Sequence, residues 1–194
     1  MYDIIFRECR KKLMQQEVVV IAIDGMSAAG KTTLSVQLEK EFGASVIHCD
    51  DFFLPKELRT LERLAEPGGN IDYNRMKKEV IDQLNRVRKS GSDFVYQRFD
   101  CKTMDLADSI VVKQSKLYVV EGAYAMHPHF GRYYDISVYL RIDGKKQLER
   151  IKQRNGDTTM FEERWIPMEN RYADEFDIVQ GADIVADAED LQIM

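Results

Sequence analysis

The chain alternates short apolar runs with longer stretches in which apolar residues recur every three or four positions. Val18-Val19-Val20-Ile21-Ala22-Ile23 is β-branched and unbroken, the pattern of a strand buried on both faces of a parallel sheet. Residues 44–48, 117–120, 136–140 and 184–186 repeat that pattern and predict four more strands. Between them the period lengthens. Ile5, Cys9 and Leu13 mark one face of a helix over 3–16, and Leu34, Leu38 and Phe42 mark a second, with Gly43 as its stop. Met76, Val80, Leu84 and Val87 predict a third, Leu148 and Ile151 a fourth starting near Lys145, and 162–176 a fifth. Residues 94–96 and 110–112 are short strand candidates around a polar connection, 100–108, and fit a hairpin. Residues 56–73 are charged and then glycine-containing, and predict a mobile surface excursion. Strands alternating with helices predict a single α/β domain with a mostly parallel sheet flanked by helices.

The first strand runs directly into Gly25-Met26-Ser27-Ala28-Ala29-Gly30-Lys31-Thr32, which matches G-x-x-x-x-G-K-[ST]. Strand, glycine loop and helix occur in the order that a phosphate-cradling loop requires. Its backbone N–H groups and the following helix N-terminus would face the phosphates of a nucleoside triphosphate. Lys31 would reach the β and γ oxygens, and the Thr32 hydroxyl would hold Mg²⁺. The nucleotide-contacting set is therefore expected to be Gly25, Ser27, Ala28, Ala29, Gly30, Lys31, Thr32 and Thr33, with a nucleoside triphosphate and Mg²⁺ as what they hold.

In open α/β sheets ligands collect beyond the carboxyl ends of the strands, and three predicted ends carry acids. Asp24 precedes the glycine loop and is expected to tether backbone there. Asp50 and Asp51 follow the second strand; Asp50 is the candidate base for an attacking hydroxyl, the alternative being that the pair caps a helix beginning at Phe52. Glu121 lies where a Walker-B-type acid would approach Mg²⁺, and a substrate hydroxyl or a structural ion pair are its other readings. Lys146, Arg150 and Arg154 share one helix side and can aim at a common anion. With the loop expected over 154–162, they predict a flexible lid that closes over the nucleotide.

Composition narrows the setting. The net charge of −5 argues against a general nucleic-acid surface, and a small anionic substrate would need local basic residues. No apolar run reaches the roughly 20 residues that a membrane span needs, and the N-terminal residues lack a signal-peptide layout. Three widely spaced cysteines (Cys9, Cys49, Cys101) without a C-x-x-C pair fit a reducing compartment, so the cytoplasm is expected. Cys49 reads as a small buried residue rather than a reactive thiol, and the His127-Pro128-His129 pair has no neighbouring acid or cysteine to complete a metal site. No feature supports or excludes an oligomer.

With the glycine loop, Asp50-Asp51-Phe52-Phe53, Val120-Glu121-Gly122 and the arginine helix in this order, residues 18–187 resemble the uridine kinase, phosphoribulokinase and nicotinamide riboside kinase group of P-loop small-molecule kinases. Cys49-Asp50-Asp51-Phe52-Phe53 and Trp165-Ile166-Pro167-Met168 look most like the nicotinamide riboside kinases; Asp72-Tyr73 and Tyr96-Gln97-Arg98-Phe99-Asp100 fall where uridine kinases contact sugar and base. The resemblance implies a P-loop NTPase-type sheet, Mg-ATP as donor and transfer to a ribose-like hydroxyl, with Lys31, Asp50, Arg150 and Arg154 as the catalytic set. Phe53, Asp72, Tyr73, Arg98, Asp100, Lys102 and Glu121 join Asp50 as expected acceptor contacts, Thr32 and Glu121 as metal contacts. Asp72 is read as a ribose contact in preference to a helix cap, and Trp165 as lid packing in preference to a base-stacking platform. The histidine with which uridine kinases read the pyrimidine is missing after Asp100, where Cys101, Lys102, Thr103 and Met104 stand. Uridine or cytidine is the first acceptor expected, then nicotinamide riboside, then another sugar or vitamin alcohol. A nucleotide-binding switch or regulatory module is the reading of another class, against which no N-K-x-D guanine signature occurs.

Overall fold

The computed structural model describes residues 2–188. Helix α1 (Tyr2–Leu13) leads into strand β1 (Val19–Gly25), helix α2 (Lys31–Phe42) and strand β2 (Ser45–His48). A 3₁₀ turn (Cys49–Phe52), a second (Lys56–Leu58) and a short helix α3 (Leu61–Ala65) follow. Helices α4 (Tyr73–Met76) and α5 (Asp82–Ser90) are joined without a break by a π turn (Lys77–Ile81). Strands β3 (Phe94–Asp100) and β4 (Asp105–Val112) form a hairpin before β5 (Leu117–Glu121) and β6 (Ile136–Arg141). Helix α6 (Gly144–Asn155), a π turn (Phe161–Trp165), α7 (Ile166–Glu175), α8 (Ile178–Gly181) and β7 (Ile184–Asp187) complete the described chain.

The main sheet has the order β2-β5-β1-β6-β7 and every pairing in it is parallel. It is covered on both faces, as its unbroken apolar strands require. Val19, Ile21 and Ile23 of β1 pack with Ile5, Cys9, Leu34 and Leu38 from α1 and α2. Val20 and Ala22 pack on the other side with Met76, Val80, Leu84 and Tyr172. The strand's two-residue period thus serves two helical layers. Because β1 lies between β5 and β6, the chain order reverses beside it and a crevice opens beyond the strand ends Gly25, His48 and Glu121.

The predicted five-stranded α/β sheet and its helices are present, with four differences. The first helix stops at Leu13 rather than 16. The excursion over 56–73 is largely structured: it carries two helical turns, and Asn70 and Ile71 within it are buried. The hairpin strands extend into residues expected to be loop, leaving only 101–104 between them. Half of β4 is exposed and only Val112 is buried, so it carries no core-facing alternation to read. The expected lid loop over 154–162 is helical except at 156–158. Among the described residues no helix is long and apolar enough to cross a membrane.

Gly25, where β1 becomes the loop, has φ +137°, and a Cβ there would lie 2.2 Å from the Leu140 carbonyl oxygen. Gly43 also has a positive φ, +63°, yet a Cβ there would meet open space. Gly25→Ala is therefore expected to cost more than about 3 kcal/mol of stability, and Gly43→Ala about 1 kcal/mol. Urea denaturation of the two variants checks the contrast; equal losses would refute the steric account.

Candidate active site

The glycine loop begins where Asp24, 1% exposed, holds the Gly25 N–H with its own carboxylate at 2.7 Å. The same carboxylate accepts the N–H groups of Tyr124 (3.2 Å) and Met126 (2.9 Å) and the Tyr172 hydroxyl (2.8 Å). Asp24 is a tether, as expected. Burial raises its carboxyl above the ordinary range, against the pull of these hydrogen bonds and of Lys31. Gly30 (φ +98°) and Ala28 (φ +61°) complete the turn, and α2 starts directly at Lys31. The Lys31 ammonium donates to the loop's own carbonyls, Gly25 at 2.8 Å and Met26 at 3.0 Å.

One cavity of about 600 Å³ lies over this loop. Its wall includes Ser27, Ala28, Gly30, Lys31, Thr32 and Thr33 on the loop side, and Asp50, Phe53, Glu121, Arg150 and Arg154 around it. Parallel pairing sets His48 opposite Glu121 at the ends of β2 and β5. The Glu121 carboxylate is nearly buried; it meets His48 Nδ1 at 2.6 Å and accepts the Thr32 hydroxyl at 3.1 Å. That hydrogen bond with Glu121 raises the His48 pKa, and burial opposes it. Asp50 opens onto the cavity, while protein closing around its other sides raises its carboxyl, an effect that Lys31 opposes. Asp51 points elsewhere: it accepts the Tyr96 hydroxyl at 2.6 Å, and its carbonyl accepts from Arg75. The acid pair thus divides into one cavity-facing and one structural member.

A family model described as AAA domain matches residues 21–174, most of the chain. The chain belongs to the AAA domain family. Uridine-cytidine kinase C from Dictyostelium discoideum is 24% identical over 143 residues, which are 74% of this chain. The aligned chain spans only 31% of that relative's length. The structure of a possible uridine kinase from Bacillus stearothermophilus shares the fold, with a TM-score of 0.68 at 21% identity, covering 95% of this chain and 98% of that one. The expected resemblance to P-loop kinases of the uridine kinase group is borne out.

In this AAA domain the helix after β6 brings Arg150 and Gln147 to the loop. Arg150 donates to the Ala28 carbonyl at 3.1 Å, and Gln147 of the same helix donates to the Ser27 carbonyl at 3.0 Å. Arg154 lies beside Phe161, 5.7 Å from the ring centre. Trp165 lines the cavity and also packs on Phe53, centroids 6.2 Å apart, so its packing role does not take it out of the site. The wall residues that sequence reasoning missed include Glu169, which grips Ser27; Asn70, buried with an unpartnered Oδ1 among the described residues; and Cys101. None belongs to a motif with fixed spacing. The Pro-Gly-Gly turn before Asn70 was the available signal, since a Cβ on Gly69 would lie 1.9 Å from the Arg63 carbonyl oxygen.

Five expected acceptor contacts are not in the cavity wall. Asp72 caps α4, accepting the Arg75 N–H at 3.0 Å, and its other oxygen lies 3.7 Å from Arg75 Nε. The cap reading replaces the ribose contact. Tyr73 lies under the Arg63 guanidinium and donates to Glu66. Arg98 pairs with Asp108 on the hairpin. Asp100 accepts the Lys102 N–H at 2.8 Å within the hairpin turn, where the Lys102 side chain is exposed. Of the expected nucleotide contacts, Gly25 and Ala29 also fall outside the wall, Gly25 as the end of β1 and Ala29 as a fully buried residue. Cys49 is buried as expected, and burial pushes its thiol up.

His127 stacks on Tyr172, centroids 5.8 Å apart, and both its ring nitrogens are used within the protein. Nδ1 accepts the His129 N–H at 3.1 Å, which leaves Nε2 to donate to the Pro67 carbonyl at 3.2 Å. Among the described residues no three His, Cys, Asp or Glu cluster as a metal site. Burial lowers the His127 pKa to about 4. The unfolded chain takes up this proton near pH 6.5 and the folded chain only near 4, so stability is lost as pH falls through that window. The loss is expected to be about 3 kcal/mol between pH 7.5 and 4. Urea denaturation across that range checks it against His127→Phe, which should lack this component of the slope.

Proposed function

We propose that this chain is an ATP-dependent kinase that moves the γ-phosphoryl group to a hydroxyl of a nucleoside-like small molecule. The observation that carries the reading is one cavity wall shared by Lys31, Thr32 and Glu121 on the nucleotide side and by Asp50 on the acceptor side. The loop suits a polyphosphate. Its glycines adopt the positive φ that lets backbone N–H groups converge, and the Lys31 ammonium already turns back toward the loop. The Thr32 hydroxyl and Glu121 carboxylate, in contact with each other, offer the oxygen donors that Mg²⁺ prefers.

Bound Mg-ATP supplies the phosphoryl group and carries away the leaving charge as ADP. Asp50 orients the acceptor hydroxyl and takes its proton as the oxygen bonds to phosphorus; the raised carboxyl pKa makes it a better proton acceptor than an ordinary aspartate. Lys31, Arg150 and Arg154 bring positive charge to the same cavity, where charge spreads over the transferring group. Phe53 and Trp165 give the acceptor end an apolar, aromatic side. Uridine or cytidine is the first acceptor proposed, in line with what the Dictyostelium relative is named for; nicotinamide riboside is second, and a sugar or vitamin alcohol third.

ADP formation from Mg-ATP, measured against nucleosides, ribosides, sugars and vitamin alcohols with Lys31→Ala as the blank, tests the reading. One acceptor should raise turnover well above the acceptor-free rate. Turnover that no acceptor stimulates, with ATP still bound, would favour a nucleotide-binding module. Asp50→Asn should lower turnover about 10²- to 10⁴-fold while ATP affinity stays within a few-fold. Survival of turnover within a few-fold would remove Asp50 from the proposed role.

A further inference from the structure

The glycine loop is held from outside by a carboxylate that no loop motif contains. Glu169, on α7, accepts the Ser27 N–H at 2.8 Å through one oxygen and the Ser27 hydroxyl through the other. It lies in the wall of the same cavity as Lys31, and burial raises its carboxyl above the ordinary range while the Lys31 charge opposes that rise. Gln147 and Arg150 of α6 take the carbonyls of Ser27 and Ala28. The helices on both sides of the 156–158 connection thus clasp the loop, but only α7 presents an anion to it. A carboxylate on a loop N–H occupies the kind of donor that such loops use for phosphate oxygens.

We propose that Glu169 is a specificity and positioning residue that sets the balance between tri- and diphosphate in this site. Its carboxylate is a built-in anion on the loop, and the charge of a terminal phosphate entering the cavity competes with it for Ser27 and Lys31. ADP, one phosphoryl group shorter, meets less of that competition. The carboxylate therefore weakens ATP more than ADP, and displacing it gives triphosphate binding a direct mechanical route to α7. The inference rests on the nucleotide-binding half of the proposed function and not on the identity of the acceptor.

Calorimetric titration of the full chain with Mg-ATP and with Mg-ADP, with no acceptor present, tests it. Glu169→Gln keeps an oxygen for the Ser27 N–H and removes the charge. It is expected to tighten ATP about tenfold while ADP changes by less than about twofold. Ser27→Ala removes only the hydroxyl contact and should shift the ATP-to-ADP affinity ratio in the same direction by a smaller factor; it decides the matter if Glu169→Gln loses its thermal unfolding transition. Equal weakening of both nucleotides would make Glu169 a structural support of the loop, and an unchanged ratio would leave it without influence on the nucleotide; either result overturns the proposal. Wild-type protein that binds neither nucleotide would overturn this inference and the proposed function together. If Glu169→Gln gives the affinity contrast while wild-type protein shows no acceptor-stimulated turnover, only the kinase reading is overturned.

Discussion

Four donors converge on the two carboxylate oxygens of Asp24: the Gly25 N–H that starts the glycine loop, the Tyr124 and Met126 N–H groups beyond β5, and the Tyr172 hydroxyl from α7. A buried carboxylate is costly to desolvate, and it stays only where hydrogen bonds replace the lost water. Here the replacements come from three separate parts of the chain. Asp24 consequently fixes the exit of β1, the exit of β5 and the inner face of α7 with respect to one another. Those three parts supply the loop, Glu121 and Glu169, so the geometry of the cavity follows from satisfying one acid.

The sheet supplies the rest of the constraint. Parallel pairing sets Glu121 beside His48 and close to Thr32, while Gly122, at φ +142°, turns the chain away against Cys49. A side chain on Gly122 would lie 2.6 Å from the Cys49 Cβ, so the turn that frees Glu121 to face the loop needs glycine. Asp50 follows Cys49 immediately and inherits its position from that contact. The glycine loop, Glu121 and Asp50 therefore occupy neighbouring strand ends and need no long-range alignment.

Much of this was legible in order along the chain. Residues 18–23 read as a buried strand because no polar residue interrupts them before Asp24, and the loop's spacing leaves few other uses for its glycines. Asp24 as a tether follows from its place between the two. Asp72 and the residues around 98–102 were read by position within a family pattern, and position does not say whether a donor lies nearer. Asp72 found the Arg75 N–H three residues on, and Arg98 found Asp108 across the hairpin. Local partners outcompete a ligand whenever the turn delivers them first.

Local spacing and the alternation of polar and apolar residues determined the strands, the helices, the glycine loop and the acids at strand ends. These features depend on neighbours within a few residues, so the sequence contains them outright. That Asp51 turns inward to Tyr96, that Asn70 and Cys101 join the cavity wall, and that Glu169 holds Ser27 across 142 positions were decided by tertiary structure alone. Each rests on a contact between segments whose separation leaves no periodic trace, because burial and hydrogen bonding act on distances in space and not along the chain.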